Sequence, residues 1–309
     1  MKHISILTPC YNEEANVREL HRAIHDVFSK LPQYTYELVF IDNCSTDRTQ
    51  EYLREIAREN KNVKVILNVR NFGHIRSPFH GLLQCKGDAV IWMASDFQDP
   101  PEMIPDFLKK WEEGFKVVLA VKNQSEESPL MFALRKAYYK LVTRLSEVAL
   151  IKNFTGFGLY DQVVVEALRQ INDPYPYFRG LISEIGYPSY QIEFKQPRRQ
   201  RGITKNNFYT LYDIAMLGIT NHSKVPLRIA TMLGFAMSAF SLLIALGYLV
   251  AKLVFWDQFI LGTAPLLIGI FFFSSVQLFF IGMIGEYIGS IQTQVLKRPH
   301  VFEKERINF

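Results

Sequence analysis

The sequence predicts an α/β protein in which a doubly wound, mostly parallel sheet is followed by a C-terminal two-helix transmembrane hairpin. Three observations predict it. Short β-rich apolar runs alternate with helix-period segments through the first ~125 residues, as parallel strands joined by crossover helices do. No charged residue interrupts positions 229–251 or 259–285, and each run exceeds the ~20 residues that cross a hydrocarbon core. Polar, acidic stretches close the apolar runs, where open sheets of this kind bind ligands.

The runs HISILTP, YELVFID, VKVILN, DAVIWM and FKVVLAV read as five strands. Between them, EEANVRELHRAIHDVFSKL, TDRTQEYLREIAREN, a segment after Gly73, and PEMIPDFLKKWEEG read as helices. The second begins beside the capping residues Ser45 and Thr46, and the last is opened by prolines. Residues 124–150 read as a loop followed by a basic helix, LRKAYYKLVTRLSEVAL. NFTGFGLYD precedes another helix, DQVVVEALRQI, and FRGLISEIGY leads to a strand-like YQIEF. QPRRQRGITKNN reads as a basic loop, and 208–222 is amphipathic enough to lie along a membrane surface. The expected units are a cytosolic domain over 1–205, a juxtamembrane helix over 206–226, the hairpin over 227–290 and a basic tail over 291–309.

Lys224 and Arg228 precede the first span, and Lys297, Arg298, Lys304 and Arg306 follow the second. The positive-inside rule therefore puts both outer ends in the cytoplasm, with Trp256 and Tyr287 as interfacial anchors. MKHISILTPCYNEE lacks the pattern of a signal peptide, so the expected location is the cytoplasmic (inner) membrane, multi-pass, with the main domain in the cytoplasm. Cys10, Cys44 and Cys85 form no CxxC pattern, which argues against a disulfide framework or a zinc site. The net charge of +5 gathers near the membrane segments, as suits anionic headgroups or a phosphorylated ligand. No nucleic-acid motif stands out, and the turn after the first strand has no glycine, which excludes a dinucleotide fingerprint.

Four places carry candidate chemistry. Tyr11, Asn12 and Glu13 follow a strand and open a helix, where an aromatic face and a carboxylate could flank a nucleobase; a plain turn is the alternative. Asp42 could accept from a base N–H or a ribose hydroxyl, or could close an Asx turn. In MASDFQDPPE, Asp96 and Gln98 offer hard oxygens of the kind Mg²⁺ or Mn²⁺ takes beside a diphosphate, while Pro100, Pro101 and Glu102 suit a helix start. Arg201 and Lys205, separated by Gly202, could gather phosphates or form a membrane-attracting patch.

In this order, ILTPCYNEE, FIDNCSTDRT, NVRNFGH, GDAVIWMASDFQDPPE, RGITK, and GEYIG followed by KRP resemble the family 2 (GT-A fold) glycosyltransferases. The likeness is to the polyprenyl-phosphate enzymes of dolichol-phosphate mannose synthase and bactoprenol glucosyltransferase type, and it covers nearly the whole chain. The resemblance implies that Pro9, Tyr11, Glu13 and Asp42 hold base and ribose, and that Arg135 and Arg201 face the nucleotide phosphates. It implies a metal on Asp96 and Gln98, Lys205 at the lipid phosphate, and Asp161 as a catalytic carboxylate near sugar and acceptor. The reaction it implies is inverting transfer from a nucleotide sugar, a UDP-sugar by family habit, to undecaprenyl phosphate at the cytoplasmic face. A homo-oligomer such as a tetramer, packed through the hairpins, is implied as well.

Three positions depart from the pattern. Asn43 stands where a second Asp is usual, Ala94 where the first Asp of a DxD motif is usual, and TGFGLYD where a DFRL-type stretch is common. Ala94 and Asn43 keep a rival open, a catalytically silent scaffold that binds nucleotide sugar or lipid beside a flippase. A processive polysaccharide synthase would add a QxxRW motif, and none of the three tryptophans sits in one.

Overall fold

The computed structural model describes residues 1–124, 151, 153–197, 216, 225–254 and 263–309. The expected five strands form as β1 (Lys2–Cys10), β2 (Tyr34–Asp42), β3 (Val63–Asn68), β4 (Ala89–Trp92) and β5 (Val117–Gln124). Helices α1 (Val17–Ser29), α2 (Thr49–Glu59) and α3 (Gly73–Gln84) cross over between the first four, and α4 (Ile104–Glu112) follows a 3₁₀ turn at Pro101–Met103. β1 pairs in parallel with both β2 and β4, and β2 with β3.

Side chains alternate across the sheet because the strand period is two. Ile4, Ile6, Leu38 and Phe40 pack with Leu20, Ile24, Leu53 and Phe107 of α1, α2 and α4 on one face. Leu7, Val39 and Ile41 pack with Phe79 and Leu82 of α3 on the other. Two covered faces explain the near-continuous apolar strands of a mostly parallel sheet.

The complete sheet has eight strands in the order β7-β5-β6-β4-β1-β2-β3-β8, and it includes two strands that the sequence reading lacks. TGFGLYD lies in β6 (Phe154–Asp161), antiparallel to both β4 and β5. Glycine is needed there: a Cβ at Gly158 would sit 2.4 Å from the Val118 carbonyl oxygen. After β6 come α5 (Gln162–Ile171), α6 (Phe178–Ile185) and β7 (Ser189–Lys195), which runs parallel to β5.

The second unforeseen strand is β8 (Glu303–Ile307), antiparallel to β3. Residues 291–309 are therefore not a free basic tail. Their first six complete a helix, and the rest return to the sheet. Arg54 and His80 bond Glu305 and Glu303 at 2.8 and 2.6 Å, and the Asn308 amide donates to the carbonyls of Ala57 and Val63. The Ser45 and Thr46 caps also need correction: α2 starts at Thr49, with Asp47 accepting the Thr49 N–H at 3.0 Å.

The apolar runs form α7 (Val225–Val254) and α8 (Thr263–Leu296). Among the described residues, one stretch, Phe272–Leu296, is long and apolar enough to cross a membrane, and Val225–Ser241 is a shorter apolar helix. Tyr287 is buried rather than placed as an exposed anchor, while Ile284, Ile288 and Ile291 are exposed. Gln294, seven residues on and so on the same helix face, donates to Asp173 in the α5–α6 connection. That face of α8 meets the sheet domain. Trp256 lies outside the described residues.

Candidate active site

Strand order reverses between β1 and β4, because β2 and β3 lie on one side of β1 and β4 on the other. In open α/β sheets the crevice beyond the carboxyl ends at such a switch point takes the ligand. Here that crevice lies between Pro9–Glu13 after β1 and Met93–Asp99 after β4. The two segments are joined by Met93 N–H donating to the Leu7 carbonyl at 3.0 Å and Ser95 Oγ donating to the Pro9 carbonyl at 3.1 Å.

The β1 and β2 loops interlock. Asn12 adopts left-handed backbone with φ 58; its N–H donates to Ser45 Oγ and its Oδ1 accepts from Thr46 N–H, both at 2.8 Å. Glu13 N–H donates to Thr49 Oγ1 at 2.8 Å, and Glu13 Oε2 accepts from Asn16. Pro9, Tyr11, Glu13 and Asp42 thus come together at one edge, as the motif order implies.

Asp42 is fully buried, and its carboxylate accepts from Ser45 N–H at 3.0 Å, from Gln50 Nε2 at 2.7 Å and from Ser45 Oγ. Burial pushes its pKa up, against the opposing pull of these hydrogen bonds. Asp42 thus closes its own loop, through the backbone N–H three residues on rather than the two of an Asx turn. Cys10 beside it is buried, with its thiol pKa raised first by burial and then by Asp42, so it offers no thiolate nucleophile.

Asn43 is a staple between β2 and the β3–α3 loop. Its Nδ2 donates to Asn71 Oδ1 at 2.9 Å and to the Gly73 carbonyl at 3.0 Å, and its Oδ1 accepts from Phe72 N–H at 2.9 Å. Both ends of the amide are used. A carboxylate could not make the two donor bonds, which gives the departure at this position a physical meaning within the chain.

The acidic turn beyond β4 answers to similar logic. Asp96 and Gln98 are half-buried, and Gln98 N–H donates to Asp96 Oδ1 at 3.2 Å. Phe97 between them has φ 59. Asp99 is buried and accepts Ala94 N–H at 2.8 Å, closing the turn. Burial raises its pKa to about 7. Asp99 is a residue whose part in this turn only burial reveals.

Among the described residues no group of three or more His, Cys, Asp or Glu side chains could hold a metal ion. A closed protein cage is therefore not what these residues build. One carboxylate and one amide oxygen suit an ion such as Mg²⁺ that keeps water and shares substrate phosphates.

Asp161 is not at this edge. It pairs with Ala89, at the start of β4, and α5 begins directly after it. Its oxygens accept from Val163 N–H at 3.0 Å, Trp111 Nε1 at 2.7 Å and Lys116 Nζ at 2.9 Å. The structure does not bring Asp161 to the crevice: it is an N-cap at the opposite edge of the sheet. Arg135, Arg201 and Lys205 lie outside the described residues.

A switch-point crevice with an acidic turn, on a sheet covered by helices on both faces, defines a ligand-binding α/β enzyme core. The chain belongs to Glycosyl transferase family 2, whose match runs over residues 5–169, and it is a glycosyltransferase. It is 33% identical to an uncharacterized glycosyltransferase of Synechocystis sp. over 96% of this chain and 93% of that one. It is 33% identical to the SfII prophage-derived bactoprenol glucosyl transferase of Shigella flexneri over 98% and 97%. A structure of glucosyl-3-phosphoglycerate synthase from Mycobacterium tuberculosis with Mn²⁺, UDP and phosphoglyceric acid aligns with 20% identity over 71% of this chain and 76% of that one, TM-score 0.46.

Proposed function

We propose that this glycosyltransferase is membrane-anchored and inverting, and moves a hexose from a UDP-sugar to undecaprenyl phosphate, or a similar polyprenyl phosphate, at the cytoplasmic face. The observation that carries the reading is topological. β7 ends at Lys195 on the edge where β1 and β2 end, and β8 begins at Glu303 opposite Asn68, the last residue of β3. Both connections to the apolar helices thus leave from the edge that holds the crevice. An acceptor confined to a membrane would meet the donor on that side.

The same topology supports two crossings. β7 and β8 belong to one sheet, so the chain between them crosses a bilayer an even number of times. If α8 spans, a second segment must span with it, and α7 touches α8. The catalytic unit we propose is 1–205 with 300–309, and the segment between them is the membrane address. Exposed apolar side chains on α7 and α8, including Phe235, Phe240, Phe272 and Phe279, suit lipid and a homo-oligomer; the mass of the detergent-purified particle tests the latter.

Within this reading Pro9, Tyr11 and Glu13 line the base and ribose, and Asp42 shapes that wall through Ser45 and Gln50. Asp96 and Gln98 would hold a Mg²⁺ or Mn²⁺ ion, which when bound offsets the charge growing on the departing nucleoside diphosphate. Arg135 and Arg201 are assigned to the donor phosphates, and Lys205 to the lipid phosphate. A phosphate monoester has a second pKa of about 6, so the acceptor is largely ionised at neutral pH. It needs orientation more than a base, which suits a site without Asp161.

A thermal-shift panel of nucleotide sugars, with and without Mg²⁺ or Mn²⁺, tests the donor half. A ligand bound to the native state alone raises apparent stability. UDP-hexoses should raise the midpoint more in metal than without it; no response to any nucleotide sugar would favour the silent scaffold.

A further inference from the structure

Three segments meet at Asp173. It lies in the connection between α5 and α6, at the carboxyl edge of the sheet, and is buried. Its Oδ1 accepts from Tyr175 N–H at 2.9 Å and from Gln294 Nε2, in the last turn of α8, at 2.8 Å. Its backbone carbonyl lies 2.7 Å from His300 Nε2, just beyond α8. The chain turns sharply on both sides of this contact, since Asn172 has φ 50 and Lys297 has φ 44. Such left-handed backbone is unfavourable at a lysine and persists only where neighbouring contacts hold it.

His300 carries the contact onward. Its ring lies 5.2 Å from that of Phe79 and 6.4 Å from that of His80, both on α3. His80 in turn bonds Glu303 at the start of β8 at 2.6 Å. α3 opens at Gly73, whose carbonyl accepts from Asn43. One run of contacts thus joins the end of α8 to the edge that holds the crevice.

We infer that Asp173 is a positioning residue that holds the last turn of α8 against the carboxyl edge and so sets the reach from the donor site to a lipid phosphate. This rests on the function proposed above. The ten residues from Gly285, where the uncharged run ends, to Gln294 make a helical rod of about 14 Å, nine rises of about 1.5 Å. A rod clamped at its end fixes the height of the crevice over the bilayer, and one left loose does not. Transfer between two separately held phosphates depends steeply on that geometry, since a 1 Å misplacement can cost about a hundredfold.

The test uses the full chain with Asp173→Ala, Asp173→Asn and Gln294→Met. Transfer from a UDP-hexose is measured to undecaprenyl phosphate in liposomes of phosphatidylethanolamine and phosphatidylglycerol, and to a short water-soluble prenyl phosphate. Asp173→Ala and Gln294→Met should lower the liposome rate at least about tenfold. The KM for donor and the rate on the short acceptor should stay near wild type, and amide exchange over 290–296 should speed up. Asp173→Asn keeps an acceptor oxygen and should retain most activity. Should Asp173→Ala fail to fold, Gln294→Met carries the test. Equal loss on both acceptors, no loss in liposomes, or unchanged exchange would each overturn the inference. Wild-type chain inactive on both acceptors would instead overturn the functional reading, and the positioning role with it.

Discussion

Asn43→Asp replaces one side-chain nitrogen by oxygen and leaves volume unchanged, so it isolates the staple. Asn43 Nδ2 now serves Asn71 Oδ1 and the Gly73 carbonyl, at 2.9 and 3.0 Å. In the variant both acceptors would face a carboxylate oxygen in a site that is 8% exposed. Asn71 cannot turn its amide to help, because its Oδ1 also takes the Gly73 N–H at 2.8 Å. Asn71 and Gly73 are themselves exposed and Asn71 Oδ1 keeps the Gly73 N–H, so what is lost at neutral pH is the two donor bonds, each worth ~1 kcal/mol net, or about 2 kcal/mol together. The new acid's folded-state pKa should be raised, so the variant keeps its stability below the ordinary Asp range and loses it as pH rises through the raised value. Urea or thermal melts of the detergent-purified chain at pH 5 and pH 8 measure this, with Asn71→Ala as the second arm of a double-mutant cycle. At pH 8 Asn43→Asp should melt about 5 °C lower, and Asn71→Ala should absorb part of that loss. A change of less than about 1 kcal/mol at pH 8 would refute the staple.

The other expectations concern the site and a distant ion pair. Asp96→Asn should abolish sugar transfer and flatten the thermal response to metal in the presence of UDP; wild-type turnover across a metal titration would remove Asp96 from the site. Arg201→Ala should lower turnover at least about tenfold, and Arg201→Lys should restore little, since a point charge does not replace a planar fork. Lys205→Ala should mainly raise the KM for lipid acceptor, and full activity of both alanine variants on a soluble prenyl phosphate would leave only membrane attraction. For Glu37, burial pushes the pKa up, but hydrogen bonds from Lys64 and Ser5 outweigh it, and the net pKa is lowered from 4.5. Its stabilisation is therefore present above about pH 4.5 and lost as pH falls through the folded-state value. Glu37→Gln should cost about 2 kcal/mol at pH 7, with the gap to wild type closing in acid melts; a gap independent of pH would contradict the assignment.

Much of the fold was legible because five strands carry long apolar runs, and four of the helices between them a clear period. β6 was not, because Gly156 and Gly158 make FTGFGLYD look like a loop, whereas the crowding of Val118 against Gly158 appears only once strands pair. β8 was hidden for another reason. EKERI is a short, charged edge strand, the kind that blunts a sheet's edge, and it pairs with a strand more than 230 residues earlier. At the site, motif order brought Pro9, Tyr11, Glu13 and Asp42 to one edge correctly. It could not say that the Asp42 oxygens turn inward to Ser45 and Gln50, or that Asp161 belongs to the far edge. Such facts follow from strand direction, and β6 runs opposite to β4.

The central claim is that a cytosolic donor site and a membrane-held acceptor meet at the carboxyl edge of this sheet. Radiolabel from a UDP-hexose, followed into the organic-extractable fraction with undecaprenyl phosphate present, tests it most directly. The account predicts label in a polyprenyl phosphosugar with wild-type chain and Mg²⁺ or Mn²⁺, and none with Asp96→Asn. Nucleotide-sugar binding without any labelled lipid from any hexose donor would contradict it.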